Sequence, residues 1–206
     1  MKIKVCGLKY ANNIEAVVRL NPDYIGLIFY AKSKRYIGDQ LYLSSYLRSL
    51  KGIKKVGVFV NASSEEIAEK TKVYDLDMVQ LHGTETAAFC DKISKDIAAI
   101  KAFQIDKAFD FNILSDFETT CSGFLFDTAT KGYGGSGLSF DWQLLNKYKF
   151  SKGFFLSGGI SLRNIEQIKF LNHQGLIGLD INSCFEISPG LKDITKIKTF
   201  IDEIRN

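Results

Sequence analysis

The stretch KVGVFVNASSEEIAEKTKVYDLDMVQL, residues 55–81, decides the fold. It begins with one apolar run, Lys55 to Val60, and ends with another, Met78 to Leu81, and both have the composition of β-strands. Between them, Ser63 and Glu66 have the spacing of a capping box, which predicts the start of a helix. Strand, helix and strand in this order form the unit of a parallel sheet, because a tight hairpin cannot join parallel strands.

The same alternation of short apolar runs and amphipathic stretches continues along the chain. Strands are predicted at Ile3 to Cys6, Tyr24 to Phe29, Lys55 to Val60, Met78 to Leu81, Ile97 to Phe103, Gly123 to Asp127, Gly153 to Leu156 and Leu176 to Ile181. Helices are predicted at Asn12 to Leu20, Asp39 to Leu50, Ser63 to Val73, Thr84 to Ile93, Phe109 to Phe117, Asp141 to Lys147, Leu162 to Leu171 and Lys192 to Ile204.

This pattern predicts that residues 1–206 form a single domain, an α/β fold of the (β/α)8 TIM barrel type with eight parallel strands. The structural alternative is an open, doubly wound sheet. Such a sheet usually has fewer strands and a glycine-rich turn after the first one. Here the first strand ends in Cys6-Gly7 instead.

The overall composition is that of an ordinary globular protein. The 206 residues are 46% hydrophobic and 24% charged, and 27 basic against 23 acidic residues give a net charge of +4. This balance is too mild to indicate nucleic-acid binding, although it would help an anionic substrate to approach. No apolar stretch has the length of a signal peptide or a membrane span, so no membrane association is expected.

The four cysteines, Cys6, Cys90, Cys121 and Cys184, are far apart in the sequence. They show neither CxxC spacing nor a nearby pair of histidines, so no metal site and no disulfide framework is expected. Reduced thiols are typical of the cytoplasm, and we expect the protein to be cytoplasmic.

The candidate catalytic residues lie where strands end, because a β/α barrel carries its reactive groups at the carboxyl ends of its strands. Cys6 closes the first predicted strand and Asp127 the sixth, so the two should face each other across the mouth. Asp127 follows an apolar run, and burial of its carboxyl would favour the protonated acid. Both also have a structural interpretation: Cys6 as a small buried apolar residue, Asp127 as a helix-capping or ion-paired residue.

Small and polar residues follow the last two predicted strands. Gly158 and Gly159 follow the seventh, and Asn182 and Ser183 follow the eighth. Barrels commonly bind phosphate with the backbone N–H groups of these two loops, so a phosphate site is predicted here, with an ordinary glycine turn as the alternative. The glycine-rich segment 132–137 indicates mobility or close approach to a ligand, but it lacks the Lys-Ser/Thr pair of a nucleotide P-loop.

The remaining polar candidates are an arginine, a histidine and a lysine inside the barrel. Arg35 follows the second strand and would bind a carboxylate, unless it is simply a solvated basic residue. His82 closes the fourth strand and, without a second metal ligand, is expected to line the pocket at most. Lys4 shares the inward face of the first strand with Cys6, and its predicted partner is Asp180 on the neighbouring eighth strand.

Taken in order, these motifs resemble the phosphoribosylanthranilate isomerase family. The resemblance rests on Lys4-Val5-Cys6-Gly7, Gly26 to Phe29 with Ser33 and Arg35, Val56 to Asn61, Gln80 to Gly83, Phe126-Asp127, Gly134 to Trp142, Leu156 to Ile160, and Asp180 to Glu186 with Pro189-Gly190. Two positions depart from the family pattern: Lys9, where many members have threonine, and Cys184, where glycine is common. The second bears on how phosphate is held, because cysteine lacks the backbone freedom of glycine.

The resemblance implies an Amadori rearrangement of N-(5-phosphoribosyl)anthranilate to 1-(2-carboxyphenylamino)-1-deoxyribulose 5-phosphate, a step of tryptophan biosynthesis. It implies that Cys6 is the general base, Asp127 the general acid and Arg35 the ligand of the anthranilate carboxylate. The implied partner is a small-molecule phosphosugar, with no cofactor, and the implied assembly is a monomer or a homodimer.

Two other functions fit parts of the sequence. A related isomerase of the histidine pathway would show two acidic residues at the strand ends and a two-fold repeated chain, whereas this chain pairs Cys6 with Asp127 and has no internal repeat. A non-catalytic phosphosugar-binding module is the other alternative, and it gives no reason for both residues to be present.

Overall fold

Eight parallel strands close into a barrel in the order of the sequence. They are β1 (Lys2–Val5), β2 (Tyr24–Ile28), β3 (Lys54–Phe59), β4 (Met78–Leu81), β5 (Ala99–Ile105), β6 (Gly123–Thr128), β7 (Phe154–Leu156) and β8 (Leu176–Ile181). The computed structural model describes residues 1–38, 40–129 and 139–206. Each strand pairs with the next, and β8 pairs with β1, which confirms the predicted TIM barrel.

Helices lie in most of the connections between strands. Within the described ranges the α-helices are α1 (Ala11–Val18), α2 (Leu41–Ser49), α3 (Ser64–Tyr74), α4 (Ala87–Ser94), α5 (Ile165–Lys169) and α6 (Ile194–Arg205). In this part of the chain, none of them is long and apolar enough to cross a membrane. Residue 39 of the second predicted helix and the glycine-rich segment 132–137 lie outside the described residues.

The start of α3 follows the sequence prediction. The Ser63 hydroxyl accepts a hydrogen bond from the backbone N–H of Glu66, 3.1 Å away, and so caps one of the free donors of the first turn. The helix ends at Asp75, whose φ of 52° is left-handed. Local polar chemistry therefore fixes both ends of this helix.

Two predicted α-helices were wrong in type. The segments Phe111–Phe117 and Trp142–Lys147 form 3₁₀ helices. In both, the preceding aspartate accepts a hydrogen bond from the N–H two residues on, rather than three as in α3. This tighter turn competes with an α-helical start. Likewise, the helix predicted from Leu162 begins with a 3₁₀ turn, Leu162–Asn164, before α5.

A short hairpin between β8 and α6 was not predicted. Its strands are β9 (Glu186–Ser188) and β10 (Leu191–Lys192), and they pair antiparallel. Pro189-Gly190 makes the turn, and Gly190 has a φ of +86°, which glycine adopts without strain. Lys192, predicted as the first residue of the last helix, therefore belongs to this hairpin, and Asp193 caps α6.

Aromatic side chains between the barrel wall and the outer layer form the densest part of the core. Phe126 is fully buried, and its ring centroid lies 4.8 Å from that of Phe154 and 5.3 Å from that of Tyr148. The opposite face of the strands supplies a second cluster, which includes Tyr24, Leu125 and Phe155. Because both faces of each strand are buried, the strand sequences are continuous apolar runs rather than an alternation of apolar and polar residues.

Replacing Phe126 by alanine is expected to lower the free energy of unfolding by about 3–5 kcal/mol, since it opens a cavity in this aromatic cluster. Chemical denaturation monitored by circular dichroism measures the change. Phe170, with 83% of its surface exposed, is the matched control, and Phe170→Ala should change stability by no more than about 0.5 kcal/mol. Equal effects of the two substitutions would contradict the assignment of Phe126 to the core.

Candidate active site

A buried ion pair lies inside the barrel where the sheet closes. Lys4 on β1 is in register with Asp180 on β8, and the Lys4 Nζ atom lies 2.8 Å from Asp180 Oδ1. The side chains are 0% and 5% exposed, so the pair is shielded from water. Burial lowers the pKa of Lys4, but the Asp180 carboxylate more than offsets this and raises the pKa above its ordinary value. The pairing predicted from strand alternation is confirmed.

Cys6 stands directly above this pair, at the end of β1. Its backbone N–H donates to Ile181 O on β8, 2.9 Å away, and the residue is 3% exposed. A Cβ atom on Gly26 of β2 would lie 2.7 Å from the sulfur, so only glycine at that position leaves room for the thiol. Burial raises the pKa of the Cys6 thiol, and the neighbouring Lys4 ammonium acts in the opposite direction.

Asp127 lies on β6 beside a histidine. Its carboxyl is buried, with the residue 6% exposed, and Oδ1 accepts a hydrogen bond from the Thr128 backbone N–H at 2.9 Å. His82 Nε2 lies 3.4 Å from Asp127 Oδ2, while His82 Nδ1 lies 2.6 Å from Gln80 Nε2. The imidazole ring thus lies between the Gln80 side chain and the Asp127 carboxyl. His82 therefore does more than line the pocket: it contacts Asp127.

The loop after β7 packs directly against Asp127. Gly158 has a φ of +83°, and a Cβ there would come within 2.2 Å of Thr128 Oγ1 and 2.9 Å of Asp127 Oδ1. Gly159 has a φ of +66°, and its carbonyl accepts from Asn164 Nδ2 at 2.9 Å. Both glycines are thus needed for backbone conformation, and Gly158 also for space.

The loop after β8 meets the loops after β1 and β2. A Cβ on Gly7 would lie 2.7 Å from both Asn182 Oδ1 and Arg35 Cδ, so these three residues converge beside Cys6. Ser183 begins a 3₁₀ turn, Ser183–Phe185, that contains Cys184. Cys184 is not among the residues with a left-handed φ, so its backbone does not need the freedom of a glycine.

Arg35 reaches this end of the barrel but already holds a carboxylate of the protein. Its Nε lies 2.9 and 3.1 Å from the two Glu186 oxygens, and its Nη2 lies 2.6 Å from Oε2. Lys192 Nζ lies 2.8 Å from Glu186 Oε1 and 2.7 Å from Asn182 Oδ1. Burial raises the pKa of Glu186, but the two cations outweigh it, so the pKa lies below its ordinary value of 4.5.

Sequence reasoning missed Glu186, Lys192 and Gln80 as members of this site. Glu186 and Lys192 flank Ser188-Pro189-Gly190, a turn signal between two short extended runs. Reading that signal as a hairpin would have placed both charges at one end of the barrel. No comparable local signal indicates that Gln80 contacts His82, beyond their separation by two residues on one face of a strand.

Metal binding has no support from the described ranges, in which no group of three or more His, Cys, Asp or Glu side chains is placed to hold an ion. The polar groups at the carboxyl ends of the strands are instead one thiol, one carboxyl, one imidazole and a set of paired charges. Such groups bind anions and transfer protons. The fold and these groups define the class: a β/α barrel with candidate proton-transfer groups at the carboxyl ends of its strands.

The family model of N-(5'-phosphoribosyl)anthranilate (PRA) isomerase matches residues 3–203, and the chain belongs to this family. The N-(5'-phosphoribosyl)anthranilate isomerase of Parabacteroides distasonis is 46% identical over 99% of this chain and 93% of its own length. This confirms the family resemblance found in the sequence.

Solved structures agree with this assignment. Monomers generated from the dimeric isomerase of Thermotoga maritima superpose with a TM-score of 0.84 at 31% identity, over 100% of this chain and 98% of theirs. An isomerase in complex with reduced 1-(o-carboxyphenylamino)-1-deoxyribulose 5-phosphate gives a TM-score of 0.85 at 30% identity, with the same coverage. Those relatives share the whole barrel with this protein.

Replacing Glu186 by glutamine is expected to lower the free energy of unfolding near neutral pH by about 1.5–3 kcal/mol, because hydrogen bonds to two cations are weakened. Since folding lowers the pKa of Glu186, its contribution is complete above pH 4.5 and is lost as the pH falls below that value. Urea denaturation of both proteins across this range measures the difference. A difference that does not shrink in acid would contradict the ion-pair assignment.

Proposed function

We propose that this protein catalyses the Amadori rearrangement of N-(5'-phosphoribosyl)anthranilate, the isomerase step of tryptophan biosynthesis. The observation that carries the proposal is the arrangement of the Cys6 thiol and the Asp127 carboxyl around one buried centre. Cys6 directly follows β1 and Asp127 lies on β6, and the two residues are only 3% and 6% exposed. Membership of the isomerase family supplies the substrate and the reaction.

The first step assigned to Asp127 is protonation of the furanose ring oxygen, which opens the ring to a Schiff base. The residue is 6% exposed, so bulk water has little access to the carboxyl that transfers this proton. The Thr128 N–H donates to Oδ1 at 2.9 Å, and the His82 ring lies 3.4 Å from Oδ2. The proton thus leaves from a group of fixed orientation.

The second step assigned to Cys6 is removal of the proton from C2 of the Schiff base, which gives an enolamine that rearranges to the ketose product. The proton passes to the sulfur, and the C–H electron pair enters the conjugated system. A thiolate is required for this step, and its close contact with Gly26 restricts where the sulfur can point. One base and one acid complete the reaction.

Charged groups at the two ends of the substrate would fix C2 against Cys6. We assign the phosphate to the backbone of Gly158, Gly159, Asn182 and Ser183, in the loops after β7 and β8. The anthranilate carboxylate is assigned to Arg35. Since Glu186 occupies the Nε and Nη2 edge of the guanidinium, the edge that includes Nη1 is the one left for the substrate.

The wider setting follows from the same chemistry. A catalytic thiol must stay reduced, so we propose the cytoplasm as the location. We treat residues 1–206 as one domain, which is consistent with the pairing of β1 with β8. A monomer and a homodimer both fit the proposal, and sedimentation equilibrium distinguishes them.

Replacing Cys6 by alanine or Asp127 by asparagine is expected to lower kcat on the order of 10²–10⁴-fold, because each removes one proton-transfer group. Product formation from N-(5'-phosphoribosyl)anthranilate, followed by fluorescence, gives the rate. Circular dichroism confirms that both variants are folded. Cys121→Ala, another buried thiol, and Asp116→Asn, an exposed carboxyl, are matched controls that should keep full activity.

Either of two results would overturn the proposal. Near-wild-type turnover in the Cys6 or Asp127 variant would remove that residue from the chemistry. A wild-type protein that binds the phosphosugar in calorimetry but forms no product would instead be a binding module.

Replacing Arg35 by methionine is expected to raise KM about tenfold to a hundredfold with little change in kcat, because it removes a charge-assisted contact of about 1.5–3 kcal/mol. Steady-state kinetics measure both constants. Lys34→Met is the control, because it removes a neighbouring exposed charge. An unchanged KM would show that Arg35 serves only to hold Glu186.

A further inference from the structure

Lys4 is a charged residue in a place where packing alone would favour an apolar one. Its side chain is 0% exposed, and its neighbours on the inward face of the barrel include Tyr24, Leu125 and Phe155. Burying an ammonium and a carboxylate costs several kcal/mol per ion, and apolar replacements of buried pairs are often no less stable. Stability therefore does not explain why this position carries a charge.

The position of Lys4 relative to Cys6 does offer an explanation. Cys6 directly follows β1, one position beyond Val5, and its N–H continues the pairing with β8. Lys4 and Cys6 therefore both point into the barrel, with Cys6 nearer its mouth. The Lys4 ammonium, held 2.8 Å from Asp180, opposes the rise in the pKa of the Cys6 thiol that burial causes. A cation one layer below the thiol is well placed to stabilise a thiolate.

The charged groups that act on Cys6 come from three strands. They are Lys4 on β1, Asp180 on β8 and Lys192 on β10. Both lysines favour the thiolate and Asp180 opposes it, and Lys4 has the largest effect of the three. Each lysine also has a carboxylate partner at 2.8 Å, Asp180 for Lys4 and Glu186 for Lys192.

We propose that Lys4 is a positioning residue that increases the fraction of Cys6 present as the thiolate needed to remove the C2 proton, with Asp180 keeping Lys4 charged. This inference rests on the proposed function of Cys6 as the base. The proton from C2 goes to the sulfur, and Lys4 keeps its own three protons throughout. Asp180 acts by anchoring the ammonium 2.8 Å away, which offsets the cost of its burial.

The experiment titrates Cys6 directly in Lys4→Met. The far-ultraviolet absorbance of the thiolate is measured against pH in the wild type and in Lys4→Met. The same measurement is made on each of these proteins with Cys6→Ala added, and the difference gives the titration of the Cys6 thiol alone. A nearby opposite charge shifts a titration by about 1–3 pH units, so the midpoint of Cys6 should rise by at least about one unit. At pH values below both midpoints, the thiolate fraction then falls about tenfold or more.

The kinetics of Lys4→Met should follow the same shift. The rising limb of the kcat profile should move to higher pH by the same amount, activity should recover in alkaline buffer, and KM should change little. A purely structural role would lower activity at every pH without moving the profile.

Two further variants control for folding. Lys55→Met removes another buried lysine, whose Nζ lies 2.7 Å from Asp75 Oδ2 but which does not face Cys6, and it should leave the midpoint unchanged. Lys4→Met combined with Asp180→Asn avoids an unpaired buried carboxylate if the single variant does not fold. Because Lys4 affects Cys6 more than Asp180 does, the midpoint should still rise in the double variant.

An unchanged Cys6 midpoint in a folded Lys4 variant would overturn the inference. Failure of the proposed function is seen separately, as near-wild-type turnover of Cys6→Ala. The absorbance titration requires no turnover, so the two failures are distinguishable.

Discussion

The geometry of the active site centres on the buried ion pair between Lys4 and Asp180. It joins the first strand to the last, so it lies at the seam where the sheet becomes a closed ring. Cys6 stands above it, and the Cys6 backbone N–H donates to Ile181 O on β8, 2.9 Å away. A polar contact that tolerates only one partner also fixes the register of β1 against β8, since a shift by one residue would leave two buried charges unpaired. The strand pairing that closes the barrel therefore also brings Lys4 and Asp180 together beneath Cys6.

A second set of charges lies at the mouth and is organised differently. Arg35, Glu186 and Lys192 form a group in which one carboxylate is shared by two cations. The hairpin of β9 and β10 carries two of the three, and the loop after β2 carries the third. Whereas the inner pair is neutral as a unit, this outer group retains one positive charge, which matches a substrate with anionic ends.

Much of this architecture could be predicted from the sequence, because parallel strands buried on both faces give uninterrupted apolar runs. The ends of β4 and β8 agree with the prediction to the residue. The 3₁₀ helices escaped prediction because an aspartate side chain, rather than the apolar pattern, sets the first turn. The contact between Arg35 and Glu186 was not predicted, for another reason. Glu186 is 151 residues away, and only the closed ring brings the two together. Strand alternation did predict the Lys4 and Asp180 contact, since a closed barrel makes the first and last strands neighbours.

The seam has a consequence for how the chain folds. Lys4 and Asp180 are 176 residues apart in the sequence, so the central ion pair is a contact of very long sequence separation. Contacts of long sequence separation form late and slowly, because loop-closure entropy must be overcome first. During synthesis, β1 must wait for β8 to emerge, and the thiol of Cys6 is unshielded for that whole interval. The sulfur of Cys6 is therefore enclosed only once β8 has paired with β1.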